Sequence, residues 1–330
     1  MAKKVILQGH IENDLLAMIN SVILELHKLY GYELSDVSSG IDSSNSAKFL
    51  EVLDDKRLSL EKVMTALSLE SEIFLRLPPF YGYKEKSNAS LLTASFVPLI
   101  ELVAVTISKA LEGPACSKHK KLAESLRTGD MVISFNYDIL MDNALRDSGK
   151  LTDYGYLVPF QKAFEDQQWT RSDDAPSQVV LLKLHGSLNW LRCSYCGSYF
   201  LMRSRKMGPW YVSLPDNCPK CRMPRDYLER VIVPPVLTKD YSAHPINFLW
   251  SEASRRLSQV REIVVIGYSF PPTDFATEAL LRIGLPWTIQ KEVQFSIVNT
   301  DEKVFERFSE AFGTSRVKLT DSLDKYLDAL

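Results

Sequence analysis

Four cysteines fall into two Cys-x-x-Cys pairs, Cys193-Ser-Tyr-Cys196 and Cys218-Pro-Lys-Cys221, with residues 197–217 between them. Two such pairs can set four thiolates tetrahedrally around one ion, and thiolate ligands in that geometry select zinc. Gly197 after the first pair and Pro219 inside the second supply turn chemistry. Redox dithiols or chance are the alternatives, and both are less specific than paired knuckles. All four positions would be filled by protein, so the predicted site is closed. A closed zinc site holds a loop and does no chemistry. The chemistry must come from elsewhere, and the nearest candidate is His185. It ends the apolar run Val179–Leu184, just before the first cysteine pair.

His185 is one of several polar residues that follow short apolar runs. Met131–Phe135 leads into Asn136-Tyr-Asp138, Ile263–Ile266 into Gly267-Tyr-Ser269, and Phe295–Val298 into Asn299-Thr-Asp301. A further run is Val231–Val233. Runs without alternation are buried on both faces, the signature of a parallel sheet. Helical stretches at Asp138–Asp147, Pro245–Gln259 and Lys303–Phe312 separate some of them, giving an α/β architecture. In open parallel sheets, ligands bind outside the carboxyl ends of the strands. The pattern therefore predicts one composite site of Asn136, Asp138, His185, Ser269 and Asn299. Each has a plainer reading: a histidine after a strand is often a structural hydrogen-bonder, Asx residues cap helices, and Gly267-Tyr-Ser269 could be only a turn. Four such tips together favour a site.

The elements before residue 129 read differently. Apolar residues at helical spacing mark helices near Asn13–Tyr30, from about Ser59 (Leu60, Val63, Met64, Leu67), and over Phe96–Leu111. Gly40–Ser46 is a polar loop, Pro78-Pro79 ends the second helical unit, and Gly113-Pro114 stops the third. The expected organisation is a helical region 1–128, an α/β domain 129–330, and a zinc ribbon 193–221 inserted in it.

The chain has 330 residues, 45% hydrophobic and 24% charged, enough for one large domain or two smaller ones. Its net charge of −2 gives no global field calling for nucleic acid or a membrane surface. Arg203, Arg205, Lys206, Lys220, Arg222 and Arg225 make the ribbon locally basic, which reads as a solvated face, with a polyanion contact as the lesser alternative. The start of the chain carries no secretory signal pattern, and Leu91–Leu111 is broken by Pro98, Glu101 and Lys109, so no membrane span is expected. Cys116 is the odd cysteine and reads as a free thiol, which with reduced zinc ligands fits a cytoplasmic protein.

Lys183-Leu-His185-Gly-Ser187 followed at once by paired Cys-x-x-Cys motifs resembles the sirtuins. Asn136-Tyr-Asp138 is similar to their Asn-x-Asp step, Gly267-Tyr-Ser269 to their late Gly-x-Ser turn, and Asn299 to the Asn before their final helix. The match runs from about Gly129 to Thr314. Ser134-Phe-Asn136-Tyr-Asp138 and Ile266-Gly-Tyr-Ser-Phe-Pro-Pro272 look most like a bacterial sirtuin-like branch that cleaves NAD, often in phage defence. The resemblance implies a Rossmann-like parallel sheet, a structural zinc and NAD as substrate. It implies His185 as general base, Asn136 orienting water and ribose, and Asp138 on the carboxamide of nicotinamide. It places Gly267 and Ser269 near phosphates and ribose, and Asn299 at the adenosine ribose.

Two departures shape the expectation. No Gly-x-Gly occurs in the chain, so the glycine loop that cradles pyrophosphate in the family is missing; either the N-terminus is truncated or replaced, or another segment serves. After the ribbon, Val231-Ile-Val-Pro-Pro-Val-Leu-Thr238 stands where deacylating sirtuins have a strand that lies along an acyl-lysine peptide. Its two prolines remove backbone donors. The long insertion Tyr154–Ser177 has no assigned role. The expected function is hydrolysis of NAD to nicotinamide and ADP-ribose, with a protein partner or self-association as a switch. The alternatives are an NAD-dependent protein lysine deacylase and an inactive, truncated binding or regulatory protein.

Overall fold

The computed structural model describes residues 116–150, 152–155, 160–162, 179–201, 215–234, 236, 239–271, 274–285, 293–313 and 316–330, with ten earlier positions between 61 and 111. The expected helix over 13–30, the loop over 40–46, the prolines at 78–79, most of the 154–177 insertion and the basic residues at 203, 205 and 206 lie outside them. Residues 61, 62, 64, 65 and 68, and 100, 103, 104 and 107, are helical, and Met64 and Ala104 are buried as the second and third apolar stripes require.

The chain divides into two compact units. One comprises Pro114–Gln161, Glu165–Ser187 and Tyr241–Leu330. Its helix α1 is Ser117–Ser125, followed by strand β1, Met131–Ser134, and helix α2, Leu140–Asp147. Lys150 closes the end of α1, its ammonium donating to the carbonyls of Ala123, Glu124 and Leu126, where the helix dipole favours a cation. Strands β2, Thr152–Asp153, and β4, Val179–Lys183, join β1 in a parallel sheet of order β1-β4-β2. β4 is buried at every position, Lys183 included, as a run that is apolar but for that lysine predicts.

A second parallel sheet of the same unit has the order β10-β9-β8. Its strands are β8, Glu262–Ile266, β9, Gln294–Val298, and β10, Val317–Thr320. Helix α3, Ile246–Leu257, precedes β8; α4, Phe275–Gly284, follows it; α5, Glu302–Phe312, joins β9 to β10; α6, Leu323–Asp328, closes the chain. Asx and Ser side chains start the last three of these helices: Asp274 accepts from Thr277 N, Asp301 from Lys303 N, and Ser322 from Asp324 N. Phe270, Phe295, Phe308 and Phe312 pack α5 on this sheet, with centroids 4.4–6.0 Å apart. This is the expected α/β architecture with parallel sheets.

The other unit comprises Met1–Gly113, Lys162–Phe164 and Leu188–Asp240. Its four-stranded sheet has the order β3-β6-β5-β7, with β3 Phe160–Lys162, β5 Gly186–Cys193, β6 Tyr199–Leu201 and β7 Leu228–Ile232. β5 and β6 are antiparallel, Trp190 opposite Leu201 and Arg192 opposite Tyr199. Of the run Val231–Val233, read above as a parallel strand, Val231 and Ile232 end β7, outside the two parallel sheets, and Val233 lies beyond it. Glu229 is exposed between buried Leu228 and Arg230, the alternation of a strand covered on one face.

Among the described residues no helix is long and apolar enough to cross a membrane.

Candidate functional site

The strand tips of the first unit converge. His185 follows β4 and is buried. Its ring centroid lies 5.2 Å from Phe135 at the end of β1, 6.4 Å from Tyr137, 6.1 Å from Tyr241 and 6.4 Å from the α3 residue Trp250. Phe135 also stacks on Tyr268 after β8, at 5.1 Å. Asn299 after β9 donates from Nδ2 to the Tyr268 carbonyl, 3.2 Å, and its Oδ1 accepts from Asp301 N, 3.0 Å. Ring contacts and one hydrogen bond from the Asn299 amide thus link all four tips predicted from sequence.

The individual residues differ in how they are held. Trp250 Nε1 donates to the Leu184 carbonyl at 2.9 Å, fixing the backbone next to His185. Asn136 is exposed, its backbone N–H on Ser134 Oγ at 3.2 Å. Asp138 uses its carboxylate to accept Leu140 N, 2.9 Å, at the start of α2, so the capping role is real. Gly267 is exposed with φ +65, a conformation glycine adopts without a Cβ clash, and its N–H reaches Val298 O at 3.1 Å. Ser269 is exposed, and its carbonyl accepts from Arg307 Nη2, 2.5 Å.

Burial pushes the hydroxyls of Tyr137 and Tyr241 well above the ordinary tyrosine value; the same holds for Tyr268, which also donates to Asp274 Oδ2, 2.5 Å. All three are neutral near pH 7. His185 therefore sits among aromatic faces and neutral hydroxyls, a setting suited to an imidazole that takes and gives a proton.

The sequence reading missed these rings. Phe135, Tyr137 and Tyr268 flank residues it named, but Tyr241 and Trp250 carry no local signal. It also missed Lys183, buried at 1% exposure with its ammonium on Asp142 Oδ2, 3.2 Å, and on the Asp138 carbonyl. Asp142 also accepts from Tyr154 OH. A lysine inside an otherwise apolar, doubly buried run was the available signal.

His119 on α1 lies 3.1 Å from Cys116 Sγ through Nδ1. Burial lowers its pKa, and the nearby Asp138 charge opposes that shift. The unfolded chain, with histidine near about 6.5, therefore binds the proton first as pH falls. This contribution is complete above that value and is lost as pH drops toward the lower folded one. Urea midpoints are expected to fall between pH 7.5 and 5.5, less steeply in His119→Gln; equal slopes in the two proteins would contradict it.

In the second unit the four cysteines meet. Their sulfurs lie within 4.8 Å of one another, Cys193 to Cys221 at 3.7 Å and Cys196 to Cys218 at 3.8 Å. A tetrahedral ion with bonds of about 2.3 Å needs sulfurs about 3.8 Å apart, so the cluster fits zinc. Leu191, Phe200 and Leu228 pack around buried Cys193 and Cys218.

No curated protein matches the chain. Solved structures similar to it include an ADP-ribose complex of a Sir2 homologue with a histidine-to-asparagine mutation (18% identity, 72% of this chain and 77% of that one, TM-score 0.40). A serine-to-alanine mutant complex of a Sir2 homologue matches at 18% identity over 80% and 89% of the two chains, TM-score 0.42. A third, described as the structural basis for the mechanism and regulation of Sir2 enzymes, matches at 15% identity over 71% and 78%, TM-score 0.35. The model of the SIR2-like domain matches residues 130–313, more than half of the chain and all six predicted tip residues. The chain belongs to the SIR2-like domain family.

Proposed function

We propose that this protein binds NAD at the converging strand tips and hydrolyses it to nicotinamide and ADP-ribose. The observation that carries the reading is the setting of His185, buried at the end of a parallel strand and ringed by Phe135, Tyr137, Tyr241 and Trp250. Membership of the SIR2-like domain family, with the tip motifs that resemble those of NAD-cleaving sirtuins, supports NAD as the ligand.

In this reading Asn136 orients a water against C1′ of the nicotinamide ribose and His185 Nε2 or Nδ1 accepts its proton. The water oxygen bonds to C1′ as the C1′–N bond breaks. The bonding pair goes to the pyridinium nitrogen, so nicotinamide leaves neutral. The aromatic walls keep other water away. Asp138 faces the carboxamide through whatever acceptor capacity its capping bond leaves. Gly267, Ser269 and Asn299 form the adenosine side. Zinc in the Cys193, Cys196, Cys218 and Cys221 cluster is structural. Removal of NAD by such an activity is consistent with a defence role and with a cytoplasmic protein.

The test is NAD consumption by the purified chain without peptide, beside His185→Ala. Steady NAD loss in the first and a fall of about 10²–10⁴-fold in the second, with folding intact, is expected. NAD loss only when an acyl-lysine peptide is added would replace this reading with a deacylase. No loss under either condition would overturn both.

A further inference from the structure

Two donors bracket His185 in sequence. Lys183, two residues before it, donates to the carbonyl of Asp138, and Ser187, two residues after it, reaches the carbonyl of Tyr137 at 3.4 Å. Both carbonyls belong to the tip that carries Asn136. The Lys183 ammonium is at 1% exposure and is neutralised by Asp142, itself held by Tyr154 OH. Desolvating such a pair costs about as much as its attraction returns, and a well-packed apolar pair in its place is often as stable or more so. Stability alone therefore does not account for it. What an apolar pair could not do is donate to the Asp138 carbonyl.

We propose that Lys183 is a positioning residue: its buried ammonium grips the Asp138 carbonyl and holds the Asn136–Asp138 tip in register with His185. The consequence for turnover rests on the NAD-hydrolysis reading; the positioning itself does not. Lys183 touches no substrate. It sets where Asn136 places the water relative to the imidazole, and an offset near 1 Å at such a point can cost about 100-fold in rate.

The test is the double variant Lys183→Met with Asp142→Asn. It removes both charges and keeps an acceptor for Tyr154, so no charge is left buried alone. Three quantities are read: thermal unfolding, ADP-ribose affinity by calorimetry, and NAD turnover. The expected result is an unfolding midpoint near that of the parent, affinity and KM within about threefold, and kcat lower by about 100-fold. A kcat equal to the parent's overturns the proposal. So does a kcat loss matched by lost ADP-ribose binding and a collapsed midpoint, which would mark a structural role. Independently of activity, the ring NMR signal of His185, identified by its loss in His185→Gln, is expected to move in the double variant while that of His244 stays. If the parent hydrolyses no NAD, the functional reading fails and this signal alone decides: a displaced His185 signal sustains the positioning, an unmoved one overturns it.

Discussion

Cys218→Ser is expected to abolish zinc binding by the four-cysteine cluster and to unfold the ribbon locally, the largest single effect foreseen for this protein. The Cys218 sulfur is fully buried among Leu191, Phe200 and Leu228 and lies 3.8 Å from Cys196 Sγ. In small zinc domains at neutral pH the ion contributes about 10–16 kcal/mol of apparent binding free energy, and that energy is folding energy. Among the described residues, Leu191, Phe200 and Leu228 are the apolar side chains around the sulfurs, too small a core to replace it. The parent should carry one zinc per chain by metal analysis, and the variant well under half of that. Proteases should then cut around residues 193–227. Cys116→Ser, outside the cluster, should keep its zinc. A fully loaded Cys218→Ser protein would refute the assignment of the ligands.

Lys183→Met alone should be far more damaging than the double variant. Removing only the cation leaves the Asp142 carboxylate, 8% exposed, with the Tyr154 hydroxyl still donating to it but no counter-charge. Stranding a buried charge in this way costs about 3–5 kcal/mol, against a total stability of about 5–15 kcal/mol for a typical domain. Urea unfolding should show a much lower midpoint at an unchanged slope. Adding Asp142→Asn should recover most of the loss. A single variant as stable as the parent would mean that the pair is not a closed unit.

Strands β1, β4, β8 and β9 and the four tips were legible in the sequence because each holds a short, largely apolar run ended by a polar or small residue, whereas β2, Thr152–Asp153, and β10, Val317–Thr320, carry no such run and were not read. The cysteine cluster was legible because its spacing is local. Tyr241 and Trp250 were not, since they reach His185 from a helix and the loop before it, far along the chain, and nothing near them in sequence announces an aromatic wall. β7 was misassigned for a related reason: three apolar residues are too few to tell a run buried on both faces from one end of an alternating strand. The strand β5 was missed because Gly186-Ser187 looks like the start of a turn. Gly186 does turn, with φ +78, but the chain then re-enters a sheet at once.

The two cysteine knuckles repeat one shape. Gly197 N–H reaches Cys193 O at 2.8 Å and Arg222 N–H reaches Cys218 O at 3.0 Å, and the two residues share a left-handed backbone, φ +68 and +63. Glycine takes that conformation freely, whereas for a residue with a Cβ it costs about 1–2 kcal/mol. The shape is thus self-supporting at the first knuckle and imposed at the second. If an ion is bound by the four thiolates, the strain falls on the second knuckle, so on removal of the metal the backbone around Arg222 is expected to exchange its amide protons before that around Gly197 does.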